Sequence, residues 1–174
     1  MKRLNTSWFN GALALAGWLI GITTQSSWAV AAAVVILMVH FAAVGSWKKE
    51  REILAITLIL GSALDSVMGN ISVLQFSSEN RILPSWLACV WIMLGLTIRH
   101  SLNWIGNNRL TGNLFLIILT AGHYCLLLQF TYVSSCLPEW QAVAILSISA
   151  TIIINIILTF SDIWMERYRR QNTG

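Results

Sequence analysis

Ile53-Leu-Ala-Ile-Thr-Leu-Ile-Leu-Gly-Ser-Ala-Leu-Asp-Ser-Val-Met-Gly-Asn70 is long and apolar enough to cross a bilayer as one helix. Asp65 lies near its middle, where a charge costs roughly 2.5–3.5 kcal/mol on insertion scales. We therefore expect Asp65 to face protein or water and to mark a functional site. Helical steps of three and four place small and polar residues on the face of Asp65, namely Gly61, Ser62, Ser66, Gly69 and Asn70. The opposite face is apolar and favours lipid, with Leu60, Leu64, Val67 and Ile71.

The composition is that of a membrane protein. The chain has 174 residues, of which 56% are hydrophobic and 10% charged, whereas soluble domains carry about 25% charged residues. This excludes a soluble globule and a disordered chain. The net charge of +4 comes from short basic clusters between apolar runs, a distribution typical of topology signals, so we expect no nucleic-acid partner.

Six apolar runs fit the ~17–25 residues that a tilted transmembrane helix needs. They cover about 8–22, 28–45, 53–71, 84–100, 113–130 and 140–162. The first run could be read as a cleaved signal peptide, but the next run begins at once, so we expect the first to be retained. Continuous runs, without strict alternation, disfavour a β-barrel. The sequence thus predicts an all-α, polytopic transmembrane helical bundle of six spans that forms one domain over residues 1–174.

Charged and aromatic residues indicate the orientation. With the N-terminus inside, ten of the eleven Lys and Arg residues lie on the cytoplasmic side, and Arg81, in a predicted loop over 77–81, lies outside. Seven of the nine tryptophans then fall at predicted membrane boundaries, as an aromatic belt requires. We predict a multi-pass protein of the bacterial inner membrane with both termini in the cytoplasm.

Several polar residues fall inside the predicted membrane region. At 1.5 Å per residue, Asp65 lies about 18 Å, His123 about 14 Å and His40 about 10 Å from the cytoplasmic face. The residues expected at that face are Asn10, Arg99, His100 and Asn103. Because polar groups in lipid need partners, we expect these side chains to converge into one cluster centred on Asp65, with His123 as the best depth match.

The cluster has both a chemical and a structural interpretation. A buried carboxyl beside a histidine favours proton transfer near neutral pH. Alternatively, Asp65 joins helices by hydrogen bonds, His123 is structural, and Arg99 extends towards the interface. The sequence contains no nucleophile elbow, no paired carboxylates and no His-x-x-His spacing, and its three cysteines share no metal-ligand spacing. We expect no metal and no cofactor, and enzymatic activity is left open.

A series of short motifs, whose order is specific, carries a family resemblance. They are Asn10 with Gly17-Trp18, His40-Phe41, Leu64-Asp65-Ser66, Val73-Leu-Gln-Phe76, Leu83-Pro84-x-Trp86 and His100-Ser-Leu-x-Trp104. Up to the fifth predicted span, the chain resembles the bacterial inner-membrane family catalogued as domain-of-unknown-function family 2878. The resemblance implies that the family's polar set includes Asn10, His40, Asp65, His100 and Asn103. Members of that family are often encoded near lipid-modifying enzymes, which favours a role in lipid metabolism.

Three functions remain open. The leading hypothesis is a non-enzymatic membrane component that binds a lipid or amphiphile, or that serves as an accessory subunit of a membrane protein partner. The first alternative is a membrane-embedded, lipid-modifying enzyme that uses Asp65 and histidine for proton transfer. The second is a solute-binding importer subunit, since Ala12-x-x-x-Ala16 resembles the small-residue face of six-helix vitamin-importer subunits. The third span, with Gly61-x-x-x-Asp65, also resembles a cell-shape membrane protein.

Overall fold

The computed structural model describes residues 2–76 and 83–172, and within these ranges the chain is helical without strands. The elements are α1 (Lys2–Thr24), α2 (Ser27–Ala43), α3 (Trp47–Asn70), α4 (Ser85–Ile98), a short 3-10 helix (Asn103–Asn107), α5 (Arg109–Phe130) and α6 (Glu139–Asn172). Each predicted run corresponds to one α-helix, so the all-α prediction is confirmed. The predicted loop 77–81, with Arg81, lies outside the described residues.

Three helices, α3, α5 and α6, are long and apolar enough to cross a membrane. The apolar helices α2 and α4 have 17 and 14 residues. A helix of 14 residues is about 21 Å long, less than the ~30 Å of a hydrocarbon core. By length and composition, the described part of the chain therefore supports three spans and not the predicted six.

The shortest α-helix, α4, is the most enclosed. It packs against α1, α2 and α3, and nine of its fourteen residues are buried. Helix α6 packs against both α3 and α5. Around the bundle the order of the helices is therefore α1, α4, α3, α6 and α5. Helix α2 lies outside this ring and packs against α1 and α4.

The chain turns sharply after α3. Ser72 adopts a left-handed backbone with φ 64°, and the following residues fold back so that Val73, Leu74 and Phe76 are buried. An isolated antiparallel bridge then joins Gln75 to Ser134, beyond the end of α5. The segment after α3 is therefore bent and buried.

Helix α6 continues to Asn172, ten residues beyond the predicted end of the sixth span. Residues 163–172 contain no Gly or Pro to end the helix. A hydrogen bond of 2.8 Å from Arg170 to Glu166, one helical turn away, adds a modest stabilisation.

Candidate functional site

A polar cluster lies at the end of the bundle where α2 turns into α3. His40 is in the last turn of α2 and Glu50 in the first turns of α3. Asn10 comes from α1, and His100 follows the C-terminus of α4. We call these four residues the His40 cluster. Asn10, His40 and Glu50 are buried, whereas the side chain of His100 is 21% exposed.

Glu50 connects the two histidines. Its Oε2 lies 2.8 Å from His40 Nε2, and its Oε1 lies 3.2 Å from His100 Nε2. The rings of His40 and His100 stand edge to face with centroids 5.2 Å apart. The other ring nitrogen of His40, Nδ1, lies 2.8 Å from Asn10 Oδ1. Residues from α1, α2, α3 and the segment after α4 thus meet through hydrogen-bonding groups that lipid could not satisfy.

The surrounding hydrogen bonds fix the position of one proton. Asn10 Nδ2 donates to the Leu96 carbonyl at 3.0 Å and to Ser101 Oγ at 3.3 Å, while Ser101 itself donates to the Ser7 carbonyl. Asn10 Oδ1 is therefore the acceptor, and His40 Nδ1 must carry the hydrogen. The remaining nitrogen, His40 Nε2, faces a carboxylate oxygen. That short contact requires a positive charge between the two atoms, either a proton or a cation.

The turn between α2 and α3 closes tightly over the His40 cluster. The backbone N–H of Ser46, the N-cap of α3, donates to Glu50 Oε1 at 2.9 Å. Gly45 lies directly against the cluster. An added Cβ there would collide with His40 Nε2 and would stand 2.7 Å from Glu50 Oε1. A residue without a side chain is therefore required at this position.

Asp65 occupies a separate site. Its carboxylate is fully buried and accepts one hydrogen bond from Trp91 Nε1 at 2.6 Å and one from the Tyr124 hydroxyl at 2.9 Å. These partners belong to α4 and α5, so Asp65 connects three helices. Gly61, one turn before Asp65, makes room for the ring of Trp91, because a Cβ at Gly61 would overlap the indole.

The single predicted cluster around Asp65 is thus wrong in geometry. Asp65 and Glu50 are fifteen residues apart on one helix, which corresponds to about 22 Å. The predicted partner of Asp65, His123, instead accepts a hydrogen bond of 2.9 Å at Nδ1 from Trp18 Nε1. His123 stands beside Tyr124 with ring centroids 4.9 Å apart, so it contacts the partner of Asp65. Asp65 and His123 thus both contact Tyr124, but neither is the hydrogen-bond partner of the other.

The remaining predicted residues lie elsewhere. Arg99 donates through Nε to Ser161 at 3.0 Å, and its two terminal nitrogens are enclosed without a hydrogen-bond partner among the described residues. Burial disfavours the charge on the Arg99 guanidinium, and the nearby carboxylates of Glu50, Glu52 and Asp162 offset part of that cost. Asn103 is exposed in the 3-10 helix. The structure therefore brings Asn10, His40 and His100 together, places Arg99 near their Glu50 partner, and leaves Asp65 and His123 apart from them.

Glu50 is the site residue that sequence reasoning missed. The charged run Trp47-Lys-Lys-Glu-Arg-Glu52 reads as a solvated connection between spans, yet it forms the start of α3. The short distance in sequence between His40 and Glu50 could have indicated that these two side chains meet. A tight helical hairpin through Gly45 and Ser46 places the end of one helix beside the beginning of the next.

An apolar crevice of about 580 Å³ opens between α1, α4 and α5. Its walls include Leu15, Trp18, Val90, Leu94, Phe115 and Ile118. Trp91, Tyr124 and His123 also line it, and Ser101 lies at the end near the His40 cluster. Several wall residues are exposed, with Leu15 at 55% and Ile118 at 71%, so the crevice opens sideways on the bundle. A shallower recess of about 740 Å³ between α5 and α6 contains none of the predicted site residues.

Comparison with curated proteins finds no match, and comparison with solved structures finds none either. The family described as "Protein of unknown function (DUF2878)" has a model that matches residues 7–155. This range contains α2 to α5, most of α1 and the first half of α6, together with all the predicted site residues. The resemblance seen in the sequence is therefore confirmed, and the chain belongs to the DUF2878 family of proteins of unknown function.

Proposed function

We propose that this protein is a multi-pass component of the bacterial inner membrane that binds the acyl chain of a lipid or other amphiphile in the crevice between α1, α4 and α5. It acts as a non-enzymatic binding or accessory protein in lipid metabolism. The observation that carries the proposal is the crevice itself, which is apolar and opens sideways, where lipid would lie.

The dimensions and lining of the crevice support this proposal. Burial of apolar surface contributes about 25 cal/mol per Å², and walls made of Leu, Val, Ile and aromatic side chains provide that surface. Ligand cavities are commonly about 300–1,000 Å³ and contain a few placed polar groups, and this crevice matches that description. A solute without an apolar part would gain little from such walls.

Two polar features would orient an amphiphile. His123 Nδ1 accepts from Trp18, so a neutral His123 carries its hydrogen on Nε2 and can donate it. Ser101 lies at the end of the crevice nearest the His40 cluster, where it accepts a hydrogen bond from Asn10. We expect the acyl chain beside the aromatic residues and the polar group towards Ser101.

The proposed topology rests on the charge pattern and on the three apolar helices of sufficient length. Six crossings require α1, α2 and α4 to pass through the bilayer as well. Helix α4 is short, but its burial among α1, α2 and α3 would shield it from lipid. The positive-inside rule then favours a cytoplasmic location for the His40 cluster, since the basic run Lys48, Lys49 and Arg51 flanks it.

The test fills the crevice without disturbing the bundle. An added Cβ at Gly122, which lines the crevice, would meet no heavy atom within 4 Å, so a side chain can begin there, and we expect that of Gly122→Phe to extend into the crevice. The matched control is Ile59→Phe on α3, an exposed apolar residue outside the crevice. Both variants and the wild type would be reconstituted with phosphatidylethanolamine that carries a photoactivatable diazirine in its acyl chain.

We expect Gly122→Phe to lose most of the acyl-chain crosslinks that map to α1 and α5, while Ile59→Phe retains them. Mass spectrometry of the crosslinked peptides separates the crevice from general lipid contact. Equal crosslinking of crevice residues in the wild type and in Gly122→Phe would overturn the proposal.

A further inference from the structure

We propose that His40, Glu50 and His100 bind a divalent transition-metal ion of the zinc class at the end of the bundle where α2 turns into α3. The proposal is independent of lipid binding, because none of these three residues lines the crevice.

The ligand atoms are of the right kind and lie close together. Each histidine offers a ring nitrogen and Glu50 offers a carboxylate oxygen, and these atoms all lie within 4.8 Å of one another. A tetrahedral zinc ion with bonds of 2.0–2.2 Å separates its ligand atoms by about 3.3–3.6 Å. The Glu50 contacts of 2.8 and 3.2 Å are near that spacing, so small side-chain movements would complete the coordination. Two histidines and one glutamate form a known zinc-ligand set that leaves a fourth position open.

The residues that hydrogen-bond to the proposed ligands orient His40 Nε2 towards the ion. Metal-bound histidines nearly always donate their other N–H to a carbonyl, a carboxylate or water. Here Asn10 Oδ1 accepts the Nδ1 hydrogen of His40 at 2.8 Å, which leaves the Nε2 lone pair facing Glu50. Asn10 is itself held by the Leu96 carbonyl and Ser101. These hydrogen bonds fix the orientation and the tautomer of the His40 ring, as coordination through Nε2 would require.

The local charges are compatible with an added cation. Glu50, which is buried between His40 and His100, also interacts with the Arg99 guanidinium, but the Glu52 and Asp162 carboxylates lie near enough to act on that positive charge as well. A metal ion would supply the positive charge that the contact between His40 Nε2 and Glu50 Oε2 requires. The competing arrangement places only a proton there, and it forms a buried ion pair. Only the arrangement with a metal ion predicts that the purified protein binds Zn²⁺.

An ion has a route to this position. The side chain of His100 is 21% exposed, whereas that of His40 is fully buried. Gly45 presents no side chain over the site. Entry past His100 would therefore lead to the carboxylate of Glu50 without opening the bundle.

The experiment measures binding of Zn²⁺, and of Co²⁺ as a spectroscopic probe, to the whole protein purified in detergent and stripped with a chelator. We expect one equivalent of metal, and a visible Co²⁺ spectrum typical of low coordination number. Glu50→Gln retains the size of the side chain and an oxygen that can accept from Ser46, and it should lose binding. Asn10→Ala should weaken binding by about 10–100-fold, the range found for second-layer partners.

The matched control is Glu52→Gln, the same change two residues along α3 and outside the ligand set. It should bind metal as the wild type does. His100→Gln, at the partly exposed ligand, provides a second test if Glu50→Gln does not fold, as judged by circular dichroism and gel filtration. Wild-type protein that binds neither ion would overturn the proposal and leave the proton arrangement. Unchanged binding in folded Glu50→Gln or His100→Gln protein would also overturn it.

Discussion

Tyr124→Phe is the most informative change at the buried carboxylate. It removes one hydroxyl and no other atom, and so it deletes the 2.9 Å hydrogen bond to Asp65 Oδ1. Tyr124 is 1% exposed and Asp65 is fully buried, so water cannot easily replace the lost donor. The hydrogen bond from Trp91 to the other carboxylate oxygen should remain.

Two known ranges of hydrogen-bond energy bound the expected loss of unfolding free energy. A hydrogen bond to a charged group contributes about 1.5–3 kcal/mol in soluble proteins. Hydrogen bonds between membrane helices average about 0.6 kcal/mol and reach about 1.7 kcal/mol, because the unfolded chain in a membrane also finds partners. Since Asp65 is fully buried and Tyr124 is one of its two hydrogen-bond donors, we place Tyr124→Phe at the upper end, about 1.5–2 kcal/mol. This corresponds to an increase of about 10–30-fold in the unfolding equilibrium constant.

Reversible unfolding by sodium dodecyl sulfate in mixed micelles would measure this free energy through tryptophan fluorescence. Tyr132→Phe is the matched control, because the Tyr132 hydroxyl also makes a side-chain hydrogen bond, accepted from Trp86 Nε1, but Tyr132 is 48% exposed. Its cost should be about 0.5 kcal/mol, since water can take over the bond. In an Asp65→Asn background, the cost of Tyr124→Phe should fall, because the acceptor is neutral. Equal costs for the two tyrosine changes would refute a stabilising role for the Asp65 connection.

Two further predictions concern packing and orientation. Gly61→Ala should destabilise the protein by about 1–3 kcal/mol, because its methyl group would overlap the Trp91 indole. Unfolding in the same micelles checks this, and a cost below 0.5 kcal/mol, about that of a surface change, would contradict the close approach. Cys136, an exposed free cysteine in the segment between α5 and α6, should react with a membrane-impermeant maleimide from the periplasmic side in intact cells. Labelling that requires access to the cytoplasm would reverse the proposed orientation.

The sequence alone determined where the helices lie, because a helix-length apolar run is a local property of the chain. All six predicted runs form helices, and their ends agree within a few residues except at α1, α3, α5 and α6. At α3 the charged run before Ile53 extends the helix, and in α6 charged residues continue it to Asn172. Charged residues with good helix propensity look like loops when hydropathy is the only criterion.

The sequence also indicated that Asp65, His40 and Asn10 need polar partners, because an unpaired polar group within a bundle is costly. Only the tertiary structure decided which partners they find. Asp65 is 26 residues from Trp91 and 59 from Tyr124, and Trp18 is 105 residues from His123. Counting along a helix gives the depth of a side chain but neither the rotation of that helix nor its neighbours. Those depend on how the faces of all six helices pack together, and no single stretch of the chain contains that information.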